Sequence, residues 1–271
     1  MAKNKIKKFT DLDAFPHVLQ PTLEELRNSF LYKEKWNKKF FKNNNPIVLE
    51  LGCGKGEYSV ALAKEFPDKN FIGVDIKGAR IWSGAHQSLE DGLINIGFLR
   101  IRIDWILQCF GHEEVDEIWI TFPDPQLKKG RSRKRLTHPY FLKMYNSILK
   151  PNAKIHLKTD SQFLHGFTLG VIAGENHILE DSTNDLYNSQ IKRNHMHIKT
   201  FYESIFLRVD CDRPRTRASS QSAAGRDTSR LSHCLAEFQY DHASAIPDPG
   251  QSSANCRSCP NEPTSSHAQA E

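Results

Sequence analysis

Apolar positions in this chain switch repeatedly between a short and a long period. Ile47 to Leu51 is an apolar run interrupted only by Glu50, which predicts a buried strand. Tyr58, Leu62 and Phe66 then recur at every fourth position, a helix face that Pro67-Asp68 ends. Asn70 to Asp75 predicts a second buried strand and Ile76 to Leu89 a second helix. Ile96 to Ile103 predicts a strand ending at Asp104, and Glu117 to Phe122 a strand running into Pro123-Asp124-Pro125. His138 to Leu149 carries an apolar face of Phe141, Leu142, Tyr145, Ile148 and Leu149, with Pro139 in its first turn and Pro151 just beyond, the punctuation of a helix. Ala153 to Lys158 is a fifth strand leading into Thr159-Asp160, and Ser161 to Ala173 a further helix. Strands alternating with helices predict parallel βαβ units in an α/β fold.

Upstream, Leu23, Leu26, Phe30, Leu31, Trp36, Phe40 and Phe41 form an amphipathic pattern with lysines opposite, so residues 1–45 read as a basic, partly helical N-terminal arm. Residues 46–207 form the α/β domain. Beyond Leu207 the character changes. Residues 1–207 hold 22 Lys and 8 Arg, whereas residues 208–271 hold no Lys and 7 Arg, in a context rich in Ser, Ala, Pro and Thr. So abrupt a switch suggests a change of coding composition, as a frameshift or fusion produces. Such a segment buries too little apolar surface to offset its ordering entropy and reads as a disordered low-complexity tail. Only Leu235 to Tyr240 resembles a short strand there. The tail holds Cys211, Cys234, Cys256 and Cys259, but Cys256-x-x-Cys259 is only half of a zinc pattern, so no metal is expected. Cys53 and Cys109 suit buried thiols of a reducing, cytoplasmic compartment.

The net charge of +5 leans toward a polyanionic partner, and no apolar run approaches the length of a membrane span. The basic stretch Met1 to Lys8 lacks the apolar core of a secretory signal.

Two motifs carry chemistry. In Glu50-Leu-Gly-Cys-Gly-Lys-Gly-Glu57 the glycines fall at Gly52, Gly54 and Gly56, whereas a dinucleotide fingerprint needs its third glycine where Glu57 stands. The loop therefore suits S-adenosylmethionine, whose cationic sulfonium, amino-acid end and ribose match carboxylates, better than a pyrophosphate cofactor. Acidic residues stand at five predicted strand ends, Glu50, Asp75, Asp104, Asp124 and Asp160, the edge where open α/β sheets bind ligands. The second motif holds Asp124 between two prolines, followed by Gln126-Leu-Lys-Lys-Gly-Arg-Ser-Arg-Lys-Arg135, in which six of ten residues are basic. A stiffly held carboxylate beside a cationic strip suits a base pocket flanked by phosphate contacts, the acid accepting from guanine N1–H and N2–H₂.

Together, in this order, the two motifs resemble the bacterial tRNA (guanine-N7)-methyltransferases, which act on guanosine 46 of the tRNA variable loop. Phe15-Pro-His-Val-Leu-Gln20, Lys158-Thr-Asp160 and Lys199-Thr-Phe-Tyr-Glu-Ser-Ile-Phe206 resemble further signatures of that family, so the likeness spans residues 10–207. It implies a Rossmann-like class I methyltransferase fold with a mostly parallel, seven-stranded-type sheet. The closing strand that follows the last signature would here be missing or replaced. It also implies a cofactor set of Glu50, Gly52, Gly54, Asp75, Asp104 and Asp124, with Asp124 as the active-site residue. Lys128, Asp160, Thr200, Phe201, Tyr202 and Glu203 would face the guanosine, and Arg131, Arg133, Lys134 and Arg135 would contact RNA. Gln126, Arg131, Ser132 and Ile205 depart from the family's usual residues. A methyltransferase with another substrate and a non-catalytic tRNA-binding remnant are the competing readings. The basic strip argues against the first and the complete acidic set against the second.

Overall fold

The computed structural model describes residues 2–187, 189, 198 and 233–240. In chain order the elements are α1 (Ala2–Ala14), β1 (Val18–Leu19), α2 (Leu23–Asn28), β2 (Ile47–Leu51), α3 (Glu57–Glu65), β3 (Asn70–Asp75), α4 (Gly78–Glu90), β4 (Ile96–Arg100), α5 (Ile106–Cys109), β5 (Val115–Thr121), α6 (Pro139–Ile148), β6 (Leu149–Thr159), α7 (Gln162–Gly174), β7 (Ile178–Thr183) and β8 (Cys234–Gln239). The strands form one sheet in the order β1-β4-β3-β2-β5-β6-β8-β7. All pairings are parallel except those of β8, which is antiparallel to both β6 and β7. Setting aside the two-residue β1, this is the seven-stranded α/β sheet expected of a class I methyltransferase.

Strand alternation divides the core into two layers. Leu49, Ile72, Ile118, Ile155, Leu157 and Phe238 pack with α5, α6 and α7 through Ile106, Tyr145 and Leu164. Val48, Phe71, Trp119 and Leu235 face the opposite layer, against Tyr58 and Leu62 of α3 and Ile81 and Ala85 of α4. The helices obey their sequence punctuation. Pro139 sits in the first turn of α6 after His138 as N-cap, and the Ser161 side chain caps α7.

Two expectations change. Leu23–Phe41 is not one helix: Thr22 and Glu25 form a capping box on α2, which stops at Asn28, and Trp36–Phe41 makes a separate π-helical turn. Trp36 draws that turn into the core by stacking on Phe110 at 5.1 Å and donating Nε1–H to the Cys109 carbonyl at 2.9 Å. Residues 1–45 also pack onto the α/β domain. Leu12 and Trp36 are fully buried, and the Trp82 indole of α4 donates to Asp11 at 2.9 Å. Finally, β4 ends at Arg100, so Asp104 lies on a 3₁₀ turn, Ile103–Trp105, beyond the strand.

The largest difference is in the segment after Leu207. Within it, Cys234–Gln239 forms β8 between β6 and β7, and Cys234, Leu235, Ala236, Glu237 and Phe238 are buried. A strand from the low-complexity segment thus occupies the closing position of the sheet. The reason lies in its two faces: Ala236 and Phe238 enter the α7 layer, while Leu235 enters the other.

Candidate active site

The strand order reverses at β2, whose neighbours are β3 on one side and β5 on the other. Such a switch point opens a crevice beyond the carboxyl ends of the strands. The chain leaves β2 through Gly52, Gly54 and Gly56, with φ of +78°, +57° and +73°, a backbone path that L side chains resist. The turn is held against the sheet by Gly52 N–H and Cys53 N–H, both donating to the Val74 carbonyl. Gly56 also sits where a Cβ would lie 2.5 Å from the Phe98 ring.

Glu50 is 3% exposed at the base of this turn. Its Oε2 accepts from Ser59 N–H at 2.9 Å and Ser59 Oγ at 2.5 Å, and its Oε1 accepts from Thr121 Oγ at 2.5 Å. Burial is the largest influence on its carboxyl, outweighing these hydrogen bonds and raising its pKa to about 7, with the Asp75 charge adding to the rise. Asp75, at the end of β3, accepts Gly54 N–H at 2.9 Å through one oxygen and Lys77 N–H at 2.8 Å through the other, tying the glycine turn to the start of α4. Asp104 is half exposed and pairs with Arg102 at 2.9 Å.

Two lobes of a cleft meet at Gly52. One, of about 100 Å³, is lined by Glu50, Gly54, Tyr58, Arg80, Thr121 and Phe122. The other, of about 270 Å³, lies between Asp75, Ile76, Ile101 and Asp104. Glu50, Gly52, Gly54, Asp75 and Asp104 are thus gathered around one cleft.

Asp124 follows β5, the strand next to β2, and is exposed. Its carboxylate accepts Gln126 N–H at 3.0 Å, and Phe122 and Gln126 on either side take φ of +47° and +46°. Asp160 is exposed after β6, at the same end of the sheet. Lys128, Arg131, Arg133 and Lys134 are exposed on and beside a 3₁₀ turn, Lys129–Lys134. Arg135 departs from its expected RNA-contact role. It is 5% exposed, donates to the Pro125 and Gln126 carbonyls, and lies over the Phe163 and Phe167 rings. It fastens the Asp124 loop from beneath. Thr200, Phe201, Tyr202 and Glu203 lie outside the described residues, as do Cys256 and Cys259.

Several residues at the cleft escaped sequence reasoning: Tyr58, Arg80 and Phe122, which line it, and Ser59, which holds the Glu50 carboxylate. Thr121 could have been found, because strand alternation places it on the face of β5 that Glu50 shares on β2 once Glu50 is paired with Trp119.

A family model described as "Putative methyltransferase" matches residues 44–212. A tRNA (guanine-N(7)-)-methyltransferase of Christiangramia forsetii is 51% identical over 208 residues, covering 76% of this chain and 93% of the relative. The same-named protein of Bacteroides fragilis is 50% identical over 76% of this chain and 82% of the relative. This chain belongs to the tRNA (guanine-N(7)-)-methyltransferase family. More distant relatives keep the likeness, the Clostridioides difficile protein being 38% identical over 70% of this chain. Among solved structures, the 16S rRNA methyltransferase KamB superposes with a TM-score of 0.53 at 13% identity, covering 76% of this chain and 93% of that one. That likeness concerns the fold. β8 lies beyond the residues that the family model matches.

Proposed function

We propose that this protein transfers the methyl group of S-adenosylmethionine to N7 of guanosine 46 in the variable loop of tRNA, in the cytoplasm. The single observation that carries the reading is the convergence of Glu50, Asp75 and Asp104 on one cleft around the left-handed glycine turn, with Asp124 held at the end of the adjacent strand.

The residues fit the cosubstrate. A glycine turn with no side chains in the way admits an amino-acid end, and carboxylates at the crevice match a ribose and a cationic ligand. Asp75 would take the ribose hydroxyls, Asp104 the adenine side, and Glu50 the charged end. When bound, S-adenosylmethionine supplies an electrophilic methyl on a positively charged sulfur.

The remaining task is orientation. Guanine N7 has a lone pair and no proton, so the displacement needs no general base, and the rate gain comes from aligning the two reactants. The purine becomes cationic as the bond forms, which a fixed carboxylate stabilises. Flanking prolines, the hydrogen bond to Gln126 and Arg135 beneath the loop stiffen the Asp124 loop and support that role. Lys128, Arg131, Arg133 and Lys134 supply exposed cations for the phosphates, which position the RNA without reading its bases. Asp160, exposed at the same end of the sheet, would add to the acceptor side.

The test is methyl transfer from labelled S-adenosylmethionine to unmodified tRNA, followed by nucleoside digestion. Label in 7-methylguanosine from the variable loop supports the reading. Label in another nucleoside, or in metabolites only, overturns it.

A further inference from the structure

We infer that His233, at the head of β8, is a positioning residue for the Asp124 loop. β8 runs against β6 with Cys234 opposite Thr159, so His233 stands at the end of the sheet where the parallel strands finish and the cleft opens. It is 2% exposed. Its carbonyl accepts Leu186 N–H at 2.8 Å, its ring meets Phe122 edge-on at 5.9 Å and 77°, and Tyr187 packs on it at 5.2 Å.

Phe122 is the residue through which His233 acts. It lines the cleft with Glu50, Gly52 and Thr121, and directly precedes Pro123-Asp124-Pro125. Its φ of +47° is unfavourable for a bulky side chain and persists only while its surroundings hold it. Two grips are visible. Its N–H donates to the Lys158 carbonyl at 2.8 Å, and its ring packs against His233 and lies 5.8 Å from the Lys158 ammonium. Without the His233 edge, Phe122 can relax toward negative φ and carry Asp124 out of line.

The strand that presents His233 is firmly fixed. Glu237 is fully buried and pairs with Lys154 at 3.0 Å and His156 at 3.3 Å, both on β6. A segment beyond the family-matched residues 44–212 therefore reaches the methyl-transfer site. Packing alone does not call for an imidazole, since Nδ1 is buried with no hydrogen-bond partner among the described residues. A phenyl ring would serve the same contact.

The experiment uses the full chain with His233→Ala and His233→Phe. Amide hydrogen exchange is read at Phe122, which donates to Lys158, and Gln126, which donates to Asp124. His233→Ala is expected to speed exchange at both amides by about tenfold, leave β2 and β5 protected, and lower kcat about tenfold with KM for S-adenosylmethionine within about twofold. His233→Phe is expected to restore exchange and kcat. If the alanine variant fails to fold, His233→Leu, which fills the volume without an aromatic edge, takes its place. Unchanged exchange at Phe122 and Gln126, or a phenylalanine variant as impaired as alanine, overturns the inference. Only the kcat readout rests on the function proposed above. A wild-type chain that never methylates guanine N7 would sink that reading, while the exchange data still decide the role of His233.

Discussion

Replacing Glu50 by Gln isolates what a buried carboxylate does at the base of the cleft. Folding holds this carboxyl at about 7 against an ordinary value near 4.5, chiefly because it is desolvated. The native state therefore keeps a proton that the unfolded chain releases. Stability falls as pH rises from 4.5 toward 7, and the loss is complete above 7. At about 1.4 kcal/mol per pH unit, the penalty reaches about 3 kcal/mol at pH 8. Glutamine mimics the protonated acid, because its carbonyl can accept Ser59 N–H while its amide donates to Thr121 Oγ. The ligand-free Glu50→Gln protein should thus match wild type near pH 4 and exceed it by about 3 kcal/mol at pH 8, or roughly 6–12 °C in Tm. A cationic ligand reverses the preference, since it favours the carboxylate. Wild-type affinity for S-adenosylmethionine should weaken about tenfold per pH unit below 7, while the variant binds weakly at all pH values. Thermal unfolding and calorimetric titration at pH 5, 6, 7 and 8 measure both. Parallel stability profiles for the two proteins, or pH-independent binding by wild type, would refute the assignment of a protonated Glu50.

The other expectations concern separate parts of the molecule. Asp124→Ala should lower kcat by about 10²–10³, the range for losing one preorganised stabilising group, with the unfolding transition unchanged; single-turnover transfer to tRNA checks this, and near-normal turnover would refute it. Changing Arg131, Arg133 and Lys134 together to Ala should weaken tRNA binding and flatten the dependence of log affinity on log salt by about two to three. Arg135→Ala should instead destabilise the fold, because its guanidinium holds the Pro125 and Gln126 carbonyls, and a purely RNA-binding defect would contradict that. Glu237→Gln should cost most between about pH 4.5 and 6.5 in a urea series. The Glu117 and Glu237 carboxyls are held low, so their contribution is present above 4.5 and lost as pH falls; His156 is held high, so its contribution is complete below 6.5 and lost as pH rises past its raised value.

The division between what could and could not be read from the chain follows from the range of the interactions. Ile47–Leu51 and Asn70–Asp75 were legible to the residue, because strands buried on both faces are mostly apolar and glycine or proline lies near their ends. Glu50, Gly52, Gly54 and Asp75 could be grouped from the sequence because parallel connections deliver successive strand ends to a single edge, whereas Asp104 lies on a 3₁₀ turn past its strand. Arg135 was misread because its sequence neighbours are exposed cations; only the fold turns its side chain inward onto Phe163 and Phe167. β8 was the hardest case, since its stabilising partners are remote in sequence. The stretch Leu235 to Tyr240 stood out only as a short strand-like pattern in an otherwise low-complexity tail. In the sheet Glu237 is what fastens the strand. It pairs with His156, which stacks on Trp119 at 4.1 Å and meets Glu117 at 3.0 Å, and Glu117 in turn meets Lys69 at 3.0 Å. Lys154 joins the other end by pairing with both Glu237 and Glu180. Alternating charges laid across four strands repay desolvation only when every partner is present, so removing one costs far more than the pair adds. A strand that supplies the missing carboxylate to such a row is selected by β6 as much as by its own pattern of apolar positions. That is how a segment of low-complexity composition can close this sheet, and in doing so bring His233 to the edge of the cleft.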